Sequence, residues 1–450
     1  MSRGARCLVA AGAATVACVT VSEAGGAGSG PPPVRTVDGP SKAVLALGGL
    51  DLARDGSGAV AYLRRSGGEA HVYVSRLVDG RPRSPHRVDR GQSGSSSHVR
   101  VASADFGETA VAWVNRGRLY AAVRAVGDAP FGAPQLICAC GGDADPALDL
   151  SIYGTGYLTF TAPGAGGHDV RVAELDDERW KVIGTPLDVN GADDAKGARV
   201  AASGDGTGIA AFRERASNGR WRVYERRVVR KELSQAPERA SLAGLGGHSG
   251  GDADSPALDL QDDSSFVWVV FRQNFWFGGS ARSRVVARRL AGSVFDTTVE
   301  IDGLGASSRS EAKNPAIDLT GRGHGLAAAG ITPANGVEGA AITRAHGQIE
   351  PSFQAPLGLE SGKASSPVAG MNESGRGAAF WERSNKIMAA YFDGRRFAKA
   401  VEISNKSAGP AAAGLGVSSS ASTSHYAVAF VQGDSGARRI QFRWFTGSPG

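Results

Sequence analysis

The sequence has little cysteine. Only 4 of its 450 residues are Cys, and Cys7 and Cys18 lie close to the N-terminus. Cys138 and Cys140 remain for the body of the chain, and no further soft ligands lie nearby to complete a zinc site. In an exported protein we expect these two to form a local disulfide, although a bridge across one residue is strained. A reactive redox pair is the alternative interpretation, because strained disulfides are the labile ones.

The chain also has few aromatic residues and no regular helical pattern. Aromatics make up 7% of the residues and hydrophobic residues 42%, so the core must consist mainly of Val, Ala, Leu and Ile. Beyond the N-terminus no segment repeats its apolar residues every 3.6 positions. The 64 glycines are about twice the usual share of roughly 7%, which indicates many tight turns. The composition predicts an all-β protein.

Familiar catalytic patterns are absent. None of the 8 histidines belongs to an H-x-x-x-H pair, and the chain has no G-x-S-x-G elbow and no phosphate-binding loop. We therefore assign no catalytic residue. A glycosidase with two carboxylates stays open as an alternative, because its acids can be distant in sequence. Enzymatic activity is less expected than binding.

Neither charge nor hydropathy indicates nucleic acid or a membrane span. The net charge is +6, with a sequence pI of about 9.2, and arginines are scattered through strand-like runs. A nucleic-acid-binding protein would show a basic stripe or a known module, so we expect none. After the N-terminal segment, no apolar run approaches the length of about 18 residues that a transmembrane helix needs.

The first 24 residues resemble an export signal. Arg3 and Arg6 form a basic start, Cys7–Val21 is apolar but short, and Ser22–Ala24 offers a small-x-small cleavage site. A second interpretation is a bacterial lipoprotein signal ending at residue 17, in which Cys18 would be lipidated. In both cases residues 25–32 form a linker rich in Gly and Pro. The protein is then secreted or anchored by lipid at the cell surface.

One sequence segment is repeated along the chain. The first half of Gly141–Phe160 reappears at Gly250–Leu260, and weaker versions lie at Asn314–Leu319 and Ser366–Met371. Around these segments we distinguish eight copies of a unit of four short strands. They fall near residues 47–92, 98–142, 145–190, 197–240, 255–302, 314–358, 366–404 and 410–450. The second strand of each copy is marked near its end by Tyr62, Trp113, Phe160, Phe212, Val270, Ala329, Phe380 and Phe430.

The repeat predicts a closed ring. Units on the order of 50 residues are typical of propeller blades. The last copy ends after its third strand, Arg438–Phe445, whereas an unmatched strand-like run, Pro33–Val37, precedes the first copy. Pairing of these two segments would remove two exposed sheet edges. We predict one all-β domain over residues 33–450, a monomeric β-propeller with eight four-stranded blades, or seven as the alternative.

The repeats resemble those of secreted bacterial propellers related to sialidase-like Asp-box repeats and to WD40-like blades. The resemblance rests on the P-A-L-D-L strand and on D-G-x-G-x-A-x-aromatic hairpins at Asp55–Tyr62 and Asp205–Phe212, with a looser version at Asp105–Trp113. No copy contains a strict Asp-box, and the Arg-Ile-Pro of sialidases is absent. The resemblance therefore implies an architecture and not an activity.

Two G-G-D-A-D segments are the first candidate site. They contain Asp143 and Asp145, then Asp252 and Asp254, and we expect them in loops between blades, on the face where propellers usually bind ligands. Such carboxylates could bind sugar hydroxyls, and Asp145 and Asp254 could ligate Ca²⁺. The simpler interpretation is that each Asp caps a turn. No other cofactor is expected.

Four aspartates recur inside the first strands of the copies: Asp51, Asp149, Asp259 and Asp318. Strand alternation places them on the face opposite the flanking Leu or Ile. The structural interpretation is a repeated hydrogen bond that joins one blade to the next. The functional interpretation is an acidic channel that binds cations.

An aromatic cluster, Phe275, Trp276 and Phe277, precedes two glycines. Aromatic side chains stack on sugars and anchor protein partners, although the cluster could equally cover an apolar flank of the blade. Together these features predict an exported binding or scaffold module with a glycan or protein ligand. The alternatives are a glycan-active hydrolase or lyase that uses loop-face Asp pairs, and a purely structural surface domain.

Overall fold

The computed structural model describes residues 31–189, 193–234, 236–260, 266–305, 308–334, 339–346, 351–360, 364–419 and 425–446. The predicted export signal, the predicted lipidation site at Cys18 and most of the predicted linker lie outside these residues. The described residues form eight antiparallel sheets of four or five strands. No described helix is long and apolar enough to cross a membrane.

Each sheet is one blade. In blades 1 to 7 the strands follow chain order from the ring axis outward, and in blade 8 the N-terminal strand Arg35–Asp38 lies outermost. The innermost strands are Val44–Leu52, Ser96–Ser103, Ala147–Leu150, Ala195–Ala202, His248–Leu260, Glu311–Leu319, Ala364–Met371 and Ala411–Ser419. The second strands are Gly58–Ser66, Thr109–Asn115, Gly156–Gly164, Thr207–Arg215, Phe266–Phe277, Gly325–Thr332, Gly377–Arg383 and His425–Gln432.

The outer half of each blade is less regular. The third strands are Glu69–Val78, Arg118–Arg124, Gly167–Asp176, Trp221–Val229, Ser280–Ala291, Gly339–His346, Lys386–Phe392 and Arg439–Thr446. The outermost segments are Arg81–Pro82 with His86–Arg87, Gln135–Cys138, Arg179–Val182, Glu232–Leu233 with Glu238–Arg239, Val294–Glu300, Ser352–Phe353 with Leu357–Glu360, Val401–Glu402 and Arg35–Asp38. A short strand, Gly244–Leu245, and two 3₁₀ turns, Asp105–Gly107 and Lys406–Ala408, complete the elements.

The ring is closed by the two ends of the described chain. Arg35–Asp38 pairs antiparallel with Arg439–Thr446 and forms the outermost strand of blade 8. Innermost strands contact those of the next blade around the ring, and the last, Ala411–Ser419, contacts the first, Val44–Leu52. The predicted eight-bladed β-propeller and its closure by an N-terminal strand are confirmed.

The hairpin motif has a specific geometric reason. In blade 1 the Asp55 carboxylate accepts a hydrogen bond of 2.8 Å from the Ser57 amide, and Gly56 has φ +82°, which favours glycine. A Cβ atom on Gly58 would clash with the carbonyl oxygen of Asp51 and lie 2.8 Å from Leu52 Cδ2. The motif therefore fixes the turn and the close approach of two strands.

Second strands are apolar at consecutive positions because both faces of a blade are buried. In blade 1, Val60 and Tyr62 pack with residues of blade 8, whereas Ala59 and Ala61 pack with residues of blade 2. The core therefore consists of layers between blades.

The register corrects two sequence markers. Leu52 pairs with Gly58 in blade 1 and Leu260 with Val267 in blade 5, so Phe271, not Val270, occupies the position of Tyr62. In blade 7, Met371 pairs with Gly377, so Trp381, not Phe380, occupies the position of Tyr62. Both corrected residues are fully buried aromatics.

Candidate functional site

We call the end of the propeller that carries the turns between second and third strands the loop face. The connections between successive blades lie at the same end, because each innermost strand begins where the antiparallel second strand ends. We call the opposite end, with hairpins such as Asp55–Gly58, the turn face. The G-G-D-A-D segments belong to the loop face. We call Asp51, Asp149, Asp259 and Asp318 the L-D-L aspartates, after the Leu-Asp-Leu or Ile-Asp-Leu around each, and they lie near the turn face.

The first G-G-D-A-D segment joins blades through ion pairs. It precedes the innermost strand of blade 3. Asp143 is exposed. Asp145 lies between two arginines, with its carboxylate 3.4 Å from Arg199 Nη1 in blade 4 and 3.8 Å from Arg100 Nη2 in blade 2. Asp145 therefore connects three blades.

The prediction that the second G-G-D-A-D segment forms a loop is wrong. Asp252 and Asp254 lie within the strand His248–Leu260, because the neighbouring second strand, Phe266–Phe277, is long enough to continue the ladder and two bulges absorb the extra residues. Asp254 accepts a 2.8 Å hydrogen bond from Arg272 Nε and a second contact from the same guanidinium.

The calcium hypothesis gains no support from this geometry. The carboxylates of Asp145 and Asp254 both face arginine side chains. Among the described residues, no group of three or more His, Cys, Asp or Glu side chains is arranged to hold a metal ion. Metal binding at these two residues stays a prediction from the sequence.

The aromatic cluster divides into two parts. Phe275 is fully buried, whereas the Trp276 side chain is 44% exposed. Phe277 is half-buried, with its ring centroid 4.2 Å from that of His248 and 4.9 Å from the Arg284 guanidinium carbon. Phe275 therefore stabilises the blade, and Trp276 presents an apolar surface on the loop face.

The structure adds a second indole and several cations beside Trp276. Trp221 begins the third strand of blade 4, and its amide donates a 2.9 Å hydrogen bond to the Asp252 carboxylate. Lys196 Nζ lies 5.0 Å and the Arg213 guanidinium carbon 4.8 Å from the Trp221 ring centroid. A Cβ atom on Gly251, the residue before Asp252, would lie 3.5 Å from Trp276 Nε1, so both indoles lie at the second G-G-D-A-D segment.

We call this group the aromatic strip; it comprises Lys196, Arg213, Arg220, Trp221, Asp252 and Trp276. It crosses blades 4 and 5. The exposed Arg220 belongs to it because its guanidinium donates a 2.9 Å hydrogen bond to the Gly250 carbonyl oxygen. Sequence reasoning found Asp252 and Trp276 but missed Trp221, although an aromatic two residues after Asn218-Gly219 was a usable signal.

The four L-D-L aspartates line the central channel and also join blades. They surround a cavity of about 160 Å³. Each carboxylate accepts a backbone hydrogen bond from the next blade: Asp51 from Ser103 at 2.7 Å, Asp149 from Ala202 at 2.7 Å, Asp259 from Leu319 at 2.6 Å and Asp318 from Met371 at 2.7 Å. The structural interpretation is confirmed, and cation binding is untested.

Burial in the channel and the neighbouring carboxylates raise the pKa of two of these carboxyl groups. Burial, and then the Asp51 carboxylate, raise the pKa of Asp149 to about 8. Burial and the Asp318 carboxylate raise the pKa of Asp259 well above its ordinary value. The amide donors oppose both effects but do not cancel them. The channel therefore favours the protonated form of Asp149 and Asp259.

The predicted pairing of the remaining cysteines is present. Cys138 and Cys140 form a disulfide with their Cα atoms 5.2 Å apart. Cys138 ends the outermost strand of blade 2, and the buried Cys140 precedes the connection to blade 3. The disulfide thus lies beside the Asp143 connection.

No model of a known protein family and no curated protein matches the chain. Among solved structures, it is similar to a PL25 ulvan lyase, with 11% identity and a TM-score of 0.44 over 92% of this chain and 96% of that one. An alpha-L-arabinanase from Penicillium chrysogenum has 11% identity and a TM-score of 0.40, over 67% and 92% of the two chains. A protein of unknown function from Dyadobacter fermentans has 13% identity and a TM-score of 0.41, over 92% and 99%. The propeller assignment rests on the eight sheets themselves, and these similarities assign neither a family nor an activity.

Proposed function

We propose that this protein is an exported binding module whose loop face binds a glycan at the aromatic strip. The observation that carries the proposal is the exposure of Trp276 at the second G-G-D-A-D segment, which Trp221 and several polar groups also contact. An indole face offers an apolar surface for the C–H face of a sugar ring. The Asp252 carboxylate and the Arg220 guanidinium, both exposed, can bond to sugar hydroxyls.

The strip also has the composition of a binding surface. Exposed Trp and Arg side chains are enriched among the residues that dominate binding energies. Lys196 is paired with Asp194, which lies outside the strip, at 2.9 Å, and this leaves Arg213 and Arg220 against the one carboxylate of the strip, Asp252. The remaining positive charge favours glycans that carry acidic groups over neutral ones.

Binding of residues 31–450 to a panel of neutral and acidic polysaccharides, measured by calorimetry, tests the proposal. We expect Trp276→Ala and Trp221→Ala to weaken binding of the best ligand by about tenfold or more, which corresponds to about 1.4 kcal/mol. Tyr153→Ala is the matched control, because Tyr153 is 72% exposed on the turn face. Unchanged affinity in both Trp variants, or no binding to any polysaccharide, would refute the proposal.

The channel supports a second candidate, a glycan-active hydrolase or lyase. Its carboxyl groups come from separate blades, and the raised pKa of Asp149 suits the proton donor that such reactions need. Product release from the same polysaccharides tests it. Products that disappear in Asp149→Asn but persist in Trp276→Ala would replace the binding proposal with this one.

Export is part of the proposal. A basic and apolar N-terminus and a lipobox-like Cys18 support it. Mass spectrometry of the protein from a native-like secretion host distinguishes the two routes. A chain that starts at Gly25 indicates soluble secretion, a lipidated chain that starts at Cys18 indicates anchoring, and an unprocessed Met1 contradicts export.

A further inference from the structure

A second recess lies between blades 1 and 2, away from the aromatic strip. Its volume is about 500 Å³, within the range of about 300–1,000 Å³ typical of pockets for small molecules. Val74 and Val88 form part of its lining and belong to the buried core between the two blades. Phe131 packs against that core and also lines the recess. The floor of this cavity is therefore apolar.

Arginines surround the apolar floor. Arg76, Arg87, Arg90 and Arg124 line the cavity, and Asp128 is the only carboxylate among the described residues that do so. Arg87 is neutralised elsewhere, since its Nε donates a 2.8 Å hydrogen bond to the buried Asp89. Arg76 and Arg124 share Asp128, whose side chain is 95% exposed, whereas Arg90 donates to the carbonyl oxygen of Arg87.

Arg124 shows most clearly that this charge is incompletely balanced. Its side chain is buried, and its guanidinium donates to the carbonyl oxygens of Gly107 and Gly127, which are dipoles and not charges. The Asp128 carboxylate lies 3.8 Å away and at 2.8 Å from Arg76 Nη1. Burial, and then the Arg76 charge, lower the pKa of Arg124. Buried charges are normally paired, and an anion in the cavity would supply the missing charge.

We propose that this blade 1–2 cavity binds a small organic acid whose anionic group contacts Arg76 and Arg124 and whose apolar body covers Val74, Val88 and Phe131. The chemical class is an amphipathic monoanion, of which medium-chain carboxylates are the simplest members. An inorganic anion would leave the apolar floor uncovered, and a neutral apolar molecule would leave the guanidinium groups uncompensated. The site is independent of the aromatic strip.

Calorimetric titration of the whole exported chain with octanoate, acetate and octanol tests the proposal. Octanoate supplies both the charge and the apolar body, acetate supplies the charge alone, and octanol supplies the body alone. We expect octanoate to bind at least tenfold more tightly than either of the other two. Equal affinity for octanol, equal affinity for acetate, or no binding of octanoate would overturn the proposal.

Three variants locate the binding. Ala129→Trp fills the cavity from its half-buried rim and should abolish octanoate binding. Arg76→Gln removes one of the two guanidinium groups that contact Asp128 and should weaken binding about fivefold even if Ala129→Trp fails to fold. Arg395→Gln removes an exposed charge in blade 7 and should change nothing. Full binding in Arg76→Gln and in a folded Ala129→Trp protein would place octanoate elsewhere and refute the assignment.

Discussion

The acidity of single channel residues should be visible in the stability of the protein. The pKa of Asp149 is raised to about 8, above the value of about 3.9 for an unfolded chain, so the folded state binds the proton more tightly. The resulting stabilisation is complete below the unfolded pKa and is lost as the pH rises through 8. We expect the Tm of the wild type to fall between pH 5 and about 9, and Asp149→Asn to flatten this dependence.

A matched variant separates this effect from general titration. Asp143→Asn removes an exposed carboxylate on the loop face, so the slope of Tm against pH should stay as in the wild type. Differential scanning fluorimetry over the pH series suffices. A wild-type Tm that rises between pH 6 and 9, or an Asp149→Asn slope equal to that of Asp143→Asn, would contradict the raised pKa.

Two adjacent aromatics should respond differently to truncation. Phe275 is fully buried, and Phe275→Ala should lower the free energy of unfolding by about 3–5 kcal/mol because it leaves a cavity in blade 5. Trp276→Ala should change it far less, because that side chain is 44% exposed. Urea unfolding of both variants gives the comparison. Equal losses would mean that Trp276 is part of the core and not a ligand platform.

At the scale of the strand pair, a glycine after the turn between the first and second strands allows these two strands to approach closely. Gly58, Gly325 and Gly377 share this role, since a Cβ atom at each would clash with the carbonyl oxygen of Asp51, Asp318 or Gly370, respectively. We expect Gly58→Ala to lower the free energy of unfolding by about 1–3 kcal/mol, the usual cost of forcing atoms into a packed site.

The control for this element is Gly142→Ala. A Cβ atom at Gly142 would meet nothing within 4 Å, so its stability in urea should stay within about 0.5 kcal/mol of the wild type. If Gly58→Ala proved equally neutral, the strands would separate without cost and the steric explanation of the motif would fail.

At the scale of the whole molecule, ring closure depends on a strand of four residues, Arg35–Asp38. It pairs with Arg439–Thr446, Val37 is buried, and the Asp38 carboxylate accepts a 2.8 Å hydrogen bond from the Tyr62 hydroxyl. Removal of residues 1–38 would expose the edge of blade 8, and open edges pair with other chains. We expect a lower Tm and concentration-dependent oligomers in light scattering.

A chain that starts at Pro31 is the comparison, because it keeps the closing strand. It should remain monodisperse with the Tm of the full chain. If the chain without residues 1–38 were equally stable and monomeric, closure by the N-terminal strand would not stabilise the ring.

The sequence by itself determined the blades and their closure, because these depend on local chemistry that recurs. A turn such as Asp55–Gly58 is formed by neighbouring residues, so the hairpin of a copy can be recognised from its own sequence. The last copy lacks a fourth strand, which predicts that it pairs with Pro33–Val37. The same reasoning misplaced Asp252, since the length of a strand depends on its partner, Phe266–Phe277.

Only the tertiary structure decided which side chains meet. Asp51, Asp149, Asp259 and Asp318 come from four blades and share a channel because the ring closes around one axis. Trp221 of blade 4 and Trp276 of blade 5 belong to one strip, and Arg76 of blade 1 and Arg124 of blade 2 line one cavity. Such contacts depend on how blades pack face to face, which is set by the sum of many apolar contacts and not by a local motif.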